Sequence, residues 1–140
     1  MEKRRVVITG MGAVTPVGIG TEEFWDALLA GKSGIAPITE FDATDFPVKI
    51  AGEVKGFDPE KYVGDKKAVR HMDRNAQFAV AAAKMAVNDA KLDMANEDPN
   101  RVGTIIGTGI GGIKTMEDTV HRIDTRGSAK VNPFAVPMMI

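Results

Sequence analysis

The apolar positions of this chain fall into two rhythms, compact β-branched runs and longer stretches with helical spacing. RRVVITG (4–10) is of the first kind and predicts a buried strand, stopped by Gly10. GMGAVTPVGIG (10–20) is punctuated by glycine and proline and predicts an irregular loop. Thr21 then predicts an N-cap, with Glu22 and Glu23 in the first turn, where the helix dipole favours anions. Phe24, Trp25, Leu28 and Leu29 form an apolar stripe and Gly31 a stop, so the helix ends there.

Residues 31–59 carry Gly and Pro often enough to predict mostly loop, with VKIAGEV (48–54) as a short strand; a connection that long usually has a task. DKKAVRHMDRNAQFAVAAAKMAVNDAKL (65–92) predicts helix. Its second part has alanine on most faces, with Phe78, Ala82, Met85 and Ala86 at helical spacing, which predicts a helix buried among close neighbours. Asp98-Pro99 opens a turn, RVGTIIG (101–107) predicts the second clear strand, and residues 111–124 predict a helix. The last residues, VNPFAVPMMI, hold two prolines and end on three apolar side chains.

The pattern is α/β in class. Two strands make a poor sheet and an apolar end is unusual, so the expectation for residues 1–140 is a single, incomplete domain. An apolar edge left open in this way predicts poor folding of the segment alone. Net charge of −1 gives no global attraction to nucleic acid or an anionic membrane. Without cysteine there is no disulfide, no thiolate zinc site and no cysteine nucleophile in this chain. MEKRR leads only into the short run VVI, so neither a signal peptide nor a membrane span is expected, and cytoplasm is the expected location.

GTGIGG (107–112) satisfies the dinucleotide fingerprint G-x-G-x-x-G. That chemistry also needs a second parallel strand ending near an acidic residue. The chain instead continues DTRGSAKVNPFAVP, and neither Glu117 nor Asp124 ends a strand. The earlier GMGAVT lacks the third glycine. The alternative is that the glycines let backbone approach backbone or line a narrow passage. Ile110, alone between Gly109 and Gly111, then reads either as a gate on an apolar pocket or as a core isoleucine.

His71 and His121 sit fifty residues apart on charged helices and read as solvated; no metal-binding spacing exists. Ser33 and Ser128 lie outside any G-x-S-x-G motif. Lys66, Lys67, Arg70 and Arg74 make a basic stripe interrupted by Asp73, and Arg126 with Lys130 makes a second cluster. Such stripes are usually solvated faces; functionally, they suit an acidic partner. Aromatic residues are too few for a nucleic-acid platform.

In order, VVITGMGAVTPVG, FWDALLAGKSGI, RHMDRNAQFAVAAA, GTGIGG and NPFAVPMMI resemble the N-terminal signature of the β-ketoacyl-acyl carrier protein synthase family. The resemblance spans the whole chain and implies a thiolase-like fold of two related α/β halves, usually a homodimer. The 140 residues would be roughly the opening third, an incomplete N-terminal portion of the first half. It implies no catalytic residue here: the nucleophilic cysteine and two histidines fall beyond Ile140, and neither His71 nor His121 matches them.

The same resemblance implies that Ile110 gates the acyl pocket and that Phe134 approaches it across the dimer interface. Lys66, Lys67 and Arg70 would meet the acidic acyl carrier protein, with Arg126 and Lys130 a looser match and His71 a pH-dependent contributor. The implied reaction is a decarboxylative Claisen condensation of an acyl thioester with malonyl carrier protein. No cofactor is implied, the phosphopantetheine being carried by the carrier protein. Two other readings stay open. One is a non-catalytic subunit, like a chain-length factor, that pairs with a larger partner; the other is a nucleotide-binding oxidoreductase.

Overall fold

The computed structural model describes residues 3–139, so Met1, Glu2 and the terminal Ile140 lie outside the described residues. The chain is mixed helix and strand, but the strands are not where the β-branched runs predict them. Residues 4–10 and 102–107 form no ladder among the described residues and are irregular; Val6, Ile8 and Ile105 stand 91%, 84% and 100% exposed. β-branched side chains favour a pleated surface, but a strand exists only as one side of a ladder.

The pairing occurs instead inside the segments rich in glycine and proline. Strand β1 (Val14–Thr15) and strand β2 (Gly18–Ile19) are antiparallel around Pro16-Val17, with Val14 opposite Ile19. Strand β3 (Ile35–Pro37) pairs antiparallel with strand β4 (Ile50–Gly52), Ile35 opposite Gly52. The predicted strand 48–54 is therefore present at its centre, and its partner lies in what reads as loop. The connection between β3 and β4 is closed by Glu53, whose carboxylate accepts hydrogen bonds from the Thr39 hydroxyl (2.7 Å), the Thr39 amide (2.8 Å) and the Glu40 amide (3.1 Å).

Helix α1 (Thr21–Leu29) begins one residue earlier than its cap signal implies. Gly20 is the N-cap, at φ 100°, and Thr21 is already helical. The Glu23 carboxylate reaches back to accept from the Ile19 amide at 3.0 Å, one residue before the N-cap. The predicted stop holds: Gly31 is left-handed at φ 63° and Lys32 N donates to the Ala27 carbonyl at 2.9 Å.

The predicted helix 65–92 is two separate helices. Helix α2 (Pro59–Val63) precedes it, helix α3 (Lys66–Val69) opens it, and helix α4 (Arg74–Asp89) follows a break at residues 70–73. Asp58 and Asp65 cap α2 and α3 with their carboxylates. Phe57, buried, stacks on Tyr62 and meets Phe78 edge-on at 4.9 Å, so aromatic contact binds the start of α2 to α4. Helix α4 is less buried than its alanines predict: only Ala81 is fully enclosed among the described residues.

Alanine serves a different end on α4, the close approach of another backbone. A Cβ at Gly12 would lie 2.1 Å from the Ala82 carbonyl oxygen, and one at Gly10 would lie 2.2 Å from that of Ala86. Between them the Met11 amide donates to Asp89 at 2.8 Å. Helix α5 (Ile113–Arg126) begins and ends two residues after its prediction, at Gly127 with φ 80°. The last helix, α6 (Ala135–Met139), has no counterpart in the sequence pattern and buries Ala135.

Two measurements test this framework. Gly12→Ala is expected to cost about 2 kcal/mol in urea unfolding, as overpacking against backbone does. Gly109→Ala, with nothing within 4 Å of the added carbon, should stay within about 0.5 kcal/mol. Second, the Thr39 hydroxyl and then its amide hold Glu53 down from 4.5 to about 2, with smaller help from the Glu40 amide and Lys55. The depressed folded value means the clamp contributes above the ordinary carboxylate range and is lost as pH falls from about 4.5 through about 2. Intrinsic-rate-corrected hydrogen exchange of residues 38–49 should therefore quicken across that window, and Glu53→Ala should show the fast rate already at pH above it. Exchange that ignores both changes would refute the clamp.

Candidate functional site

The break between α3 and α4 is where the chemistry-bearing residues gather. It is a tight turn: His71 N donates to the Ala68 carbonyl at 2.9 Å and Met72 N to that of Val69 at 3.3 Å. The Gln77 side-chain amide then donates to the Val69 and Met72 carbonyls, at 3.2 and 3.1 Å. These carbonyls lie at a helix end and need such partners.

Asp73 is the buried charge of the site, 8% exposed. Its carboxylate accepts from the Thr115 amide at 3.0 Å and from the Thr115 hydroxyl, while its own amide donates to the Met138 carbonyl at 3.0 Å. Thr115 lies in the first turn of α5, the position at which a phosphate would sit in a dinucleotide fold. The anion site of this helix is already filled by the chain's own carboxylate.

The last two glycines of GTGIGG have a packing task. A Cβ on Gly112 would lie 2.7 Å from the Met139 Cα and 2.9 Å from the Asp73 carboxylate; one on Gly111, itself at φ 77°, would lie 2.8 Å from the Met139 carbonyl oxygen. Gly112 N donates to that oxygen at 3.0 Å. Close backbone approach is thus the use of the final pair, whereas Gly107 and Gly109 face open space.

Ile110 is 75% exposed among the described residues. Phe134, 46% exposed, lies against the His71 ring at a centroid distance of 4.2 Å and an interplanar angle of 43°. Lys66, Lys67 and Arg70 are exposed together on α3 and its end, with Lys66 pairing to Glu60 at 3.2 Å. Arg74 departs from the predicted stripe. Its guanidinium donates to the Val54 carbonyl at 2.6 Å and covers the Phe78 ring at 4.9 Å. Arg126 ends α5 and Lys130 follows in a short 3-10 turn, both exposed, so the second basic cluster is continuous along the surface chain. His121 is exposed, as its charged helix predicts.

A cavity of about 90 Å³ lies between α5 and the C-terminal segment, with Thr119, Arg122, Asn132 and Met138 in its walls. No group of three potential metal ligands occurs among the described residues, and no described helix is long and apolar enough to cross a membrane. The Asp73–Thr115 link is a feature the sequence signals poorly. An aspartate immediately before a helix reads as its cap, yet this one caps a helix forty-two residues away.

Residues 3–140 match the family described as Beta-ketoacyl synthase, N-terminal domain. The chain is 45% identical over its whole length to the 3-oxoacyl-[acyl-carrier-protein] synthase 2 of Synechocystis sp., and 48% identical over 98% of its length to that of Coxiella burnetii. It spans about a third of the length of these curated relatives, 33% in each case. Among solved structures, the ishigamide ketosynthase/chain length factor aligns over 99% of this chain and 34% of its own, with a TM-score of 0.80 and 32% identity. A type II PKS acyl-carrier protein in complex with its ketosynthase aligns over 99% of this chain and 35% of its own, with a TM-score of 0.78 and 25% identity.

Removing the Asp73 carboxylate tests the centre of this site. Asp73→Ala strands the Thr115 amide and is expected to cost about 2 kcal/mol of unfolding free energy. In a double-mutant cycle with Thr115→Val, a coupling energy of about 1 kcal/mol is expected. Additive losses would show that the two side chains act independently.

Proposed function

The chain belongs to the beta-ketoacyl synthase family, and from that membership we propose that it forms the N-terminal third of a 3-oxoacyl-acyl carrier protein synthase. The observation that carries this reading is the 45% identity that runs across all 140 residues. The thiolase-like ketosynthase fold of its structural neighbours agrees with it.

In the complete enzyme a cysteine thiolate, supplied by the chain beyond residue 140, attacks the acyl thioester and releases the carrier thiol. Malonyl carrier protein loses CO₂, and its carbanion attacks the enzyme-bound thioester. The cysteine leaves as thiolate, and the product is a 3-oxoacyl carrier two carbons longer. Histidines and backbone amides, also outside this segment, stabilise the oxygen charge. The segment itself contributes scaffold, pocket and docking surface, and needs no cofactor; the phosphopantetheine arm belongs to the carrier.

Within that reading, Ile110 gates the acyl pocket and Phe134 approaches it across the interface of a homodimer. Burial of each acyl CH₂ supplies about 0.8 kcal/mol toward length selectivity. Lys66, Lys67 and Arg70 meet the acidic carrier protein, with Arg126 and Lys130 beside them. The exposure of all five cations supports this assignment. The enzyme works in the cytoplasm, where its carrier-bound substrates are made. A second reading is a subunit resembling a chain-length factor, which the ketosynthase/chain length factor neighbour favours. The nucleotide reading has no such support, because Asp73 already occupies the anion position of α5.

The complete polypeptide is expected to convert acyl and malonyl carrier proteins to 3-oxoacyl carrier with release of CO₂, and the 140-residue segment alone to convert none. Lys66→Glu with Lys67→Glu should raise the KM for carrier protein about tenfold, with kcat within about twofold and the deficit shrinking as salt rises. No condensation by the complete polypeptide, but activity on adding a larger homologous partner, would establish the second reading instead. A KM indifferent to the charge reversal would remove the docking assignment.

A further inference from the structure

The four residues of the break join two surfaces to which the functional reading gives different tasks. On one side lie Lys66, Lys67 and Arg70, assigned to the carrier protein. On the other lies the segment from Asn132 to Met139, held to the break at two points: the Asp73 amide on the Met138 carbonyl, 3.0 Å, and the His71 ring on Phe134, 4.2 Å. The connection is stiff, because Gln77 ties the carbonyls of Val69 and Met72 to the first turn of α4.

The backbone of Phe134 is fixed from both sides. Its amide donates to the Asn132 side chain at 3.0 Å, and its carbonyl accepts from Met138 N at 2.9 Å. Its ring is less constrained, since nearly half of the residue is exposed. A half-exposed phenylalanine chooses among staggered rotamers, and the ring laid against it decides which one is populated. That ring belongs to His71, whose own backbone is held by Ala68.

We propose that His71 is a positioning residue for Phe134, fixing the orientation of the phenylalanine ring and so the acyl-chain length that the pocket accepts. This rests on the reading of Phe134 as an acyl-pocket residue. His71 thereby contributes through its ring, and not as one more charge on the docking surface.

The test uses the complete polypeptide and the ratio of kcat/KM for a long acyl carrier to that for a short one. His71→Ala should change this ratio about fivefold, the equivalent of about 1 kcal/mol for an aromatic pair. The KM for malonyl carrier and its dependence on salt should stay as in the unmodified enzyme. His71→Phe keeps a ring and loses the ionisable group, and should restore the ratio to within about twofold. In a Phe134→Ala background, His71→Ala should no longer alter the ratio. The inference is overturned if His71→Ala leaves the ratio alone but raises the carrier KM in a salt-dependent way, or if His71→Phe fails to rescue. An unmodified complete polypeptide that does not condense at all refutes the functional reading first, and this inference with it. One that condenses with a ratio indifferent to His71 refutes this inference alone.

Discussion

A single buried carboxylate organises the part of the molecule on which function depends. Asp73 accepts two hydrogen bonds from Thr115 and offers its amide to Met138, so three stretches distant in sequence converge on one residue. A charge with so little exposure persists because donors surround it and the positive end of a helix faces it. The turn between α3 and α4, the start of α5 and the placement of α6 all follow from that arrangement. Phe134 and His71 meet because the chain on either side of them is already tied together.

The helices were legible where local chemistry decides them. Gly31 stops α1 as its position implies, and the apolar stripe of residues 24–29 lies on a real helix. The break at residues 70–73 was not legible, because nothing in RHMD forbids a helix; the pull comes from Thr115 and Met138. The strands failed for a related reason. VVI and TII have the side chains of strands, but pairing is a property of two segments, and no described segment forms a ladder with them. Proline and glycine, meanwhile, concealed β1, β2 and β3 in segments that read as loop, whereas β4 lies inside the predicted strand 48–54.

The site divides in the same way. Exposed cations on α3 could be read from the sequence because a run of charge has nowhere else to go. Arg74 could not be separated from them, since only the fold brings the Val54 carbonyl and the Phe78 ring within its reach. Ile110 between two glycines reads as gate or core in the sequence, and in this segment its side chain stands exposed. The motif GTGIGG was the most misleading signal, because a pattern of glycines reports where backbone must come close without saying to what.

The other glycine pair shows what such a pattern measures. Gly10 meets Ala86 and Ala90, and Gly12 meets Ala82 and Ala86, so the N-terminal segment descends α4 in the opposite sense to the helix. Two residues of extended chain cover about 6.6 Å, and four residues of helix rise about 6 Å. The near-equality of these lengths lets every second residue of one segment fall into step with every fourth of the other. G-x-G against A-x-x-x-A is therefore a vernier between two kinds of backbone. Inserting or deleting one residue in either scale would misalign both marks at once, so this stretch of the chain tolerates changes of identity at Met11 far better than changes of length.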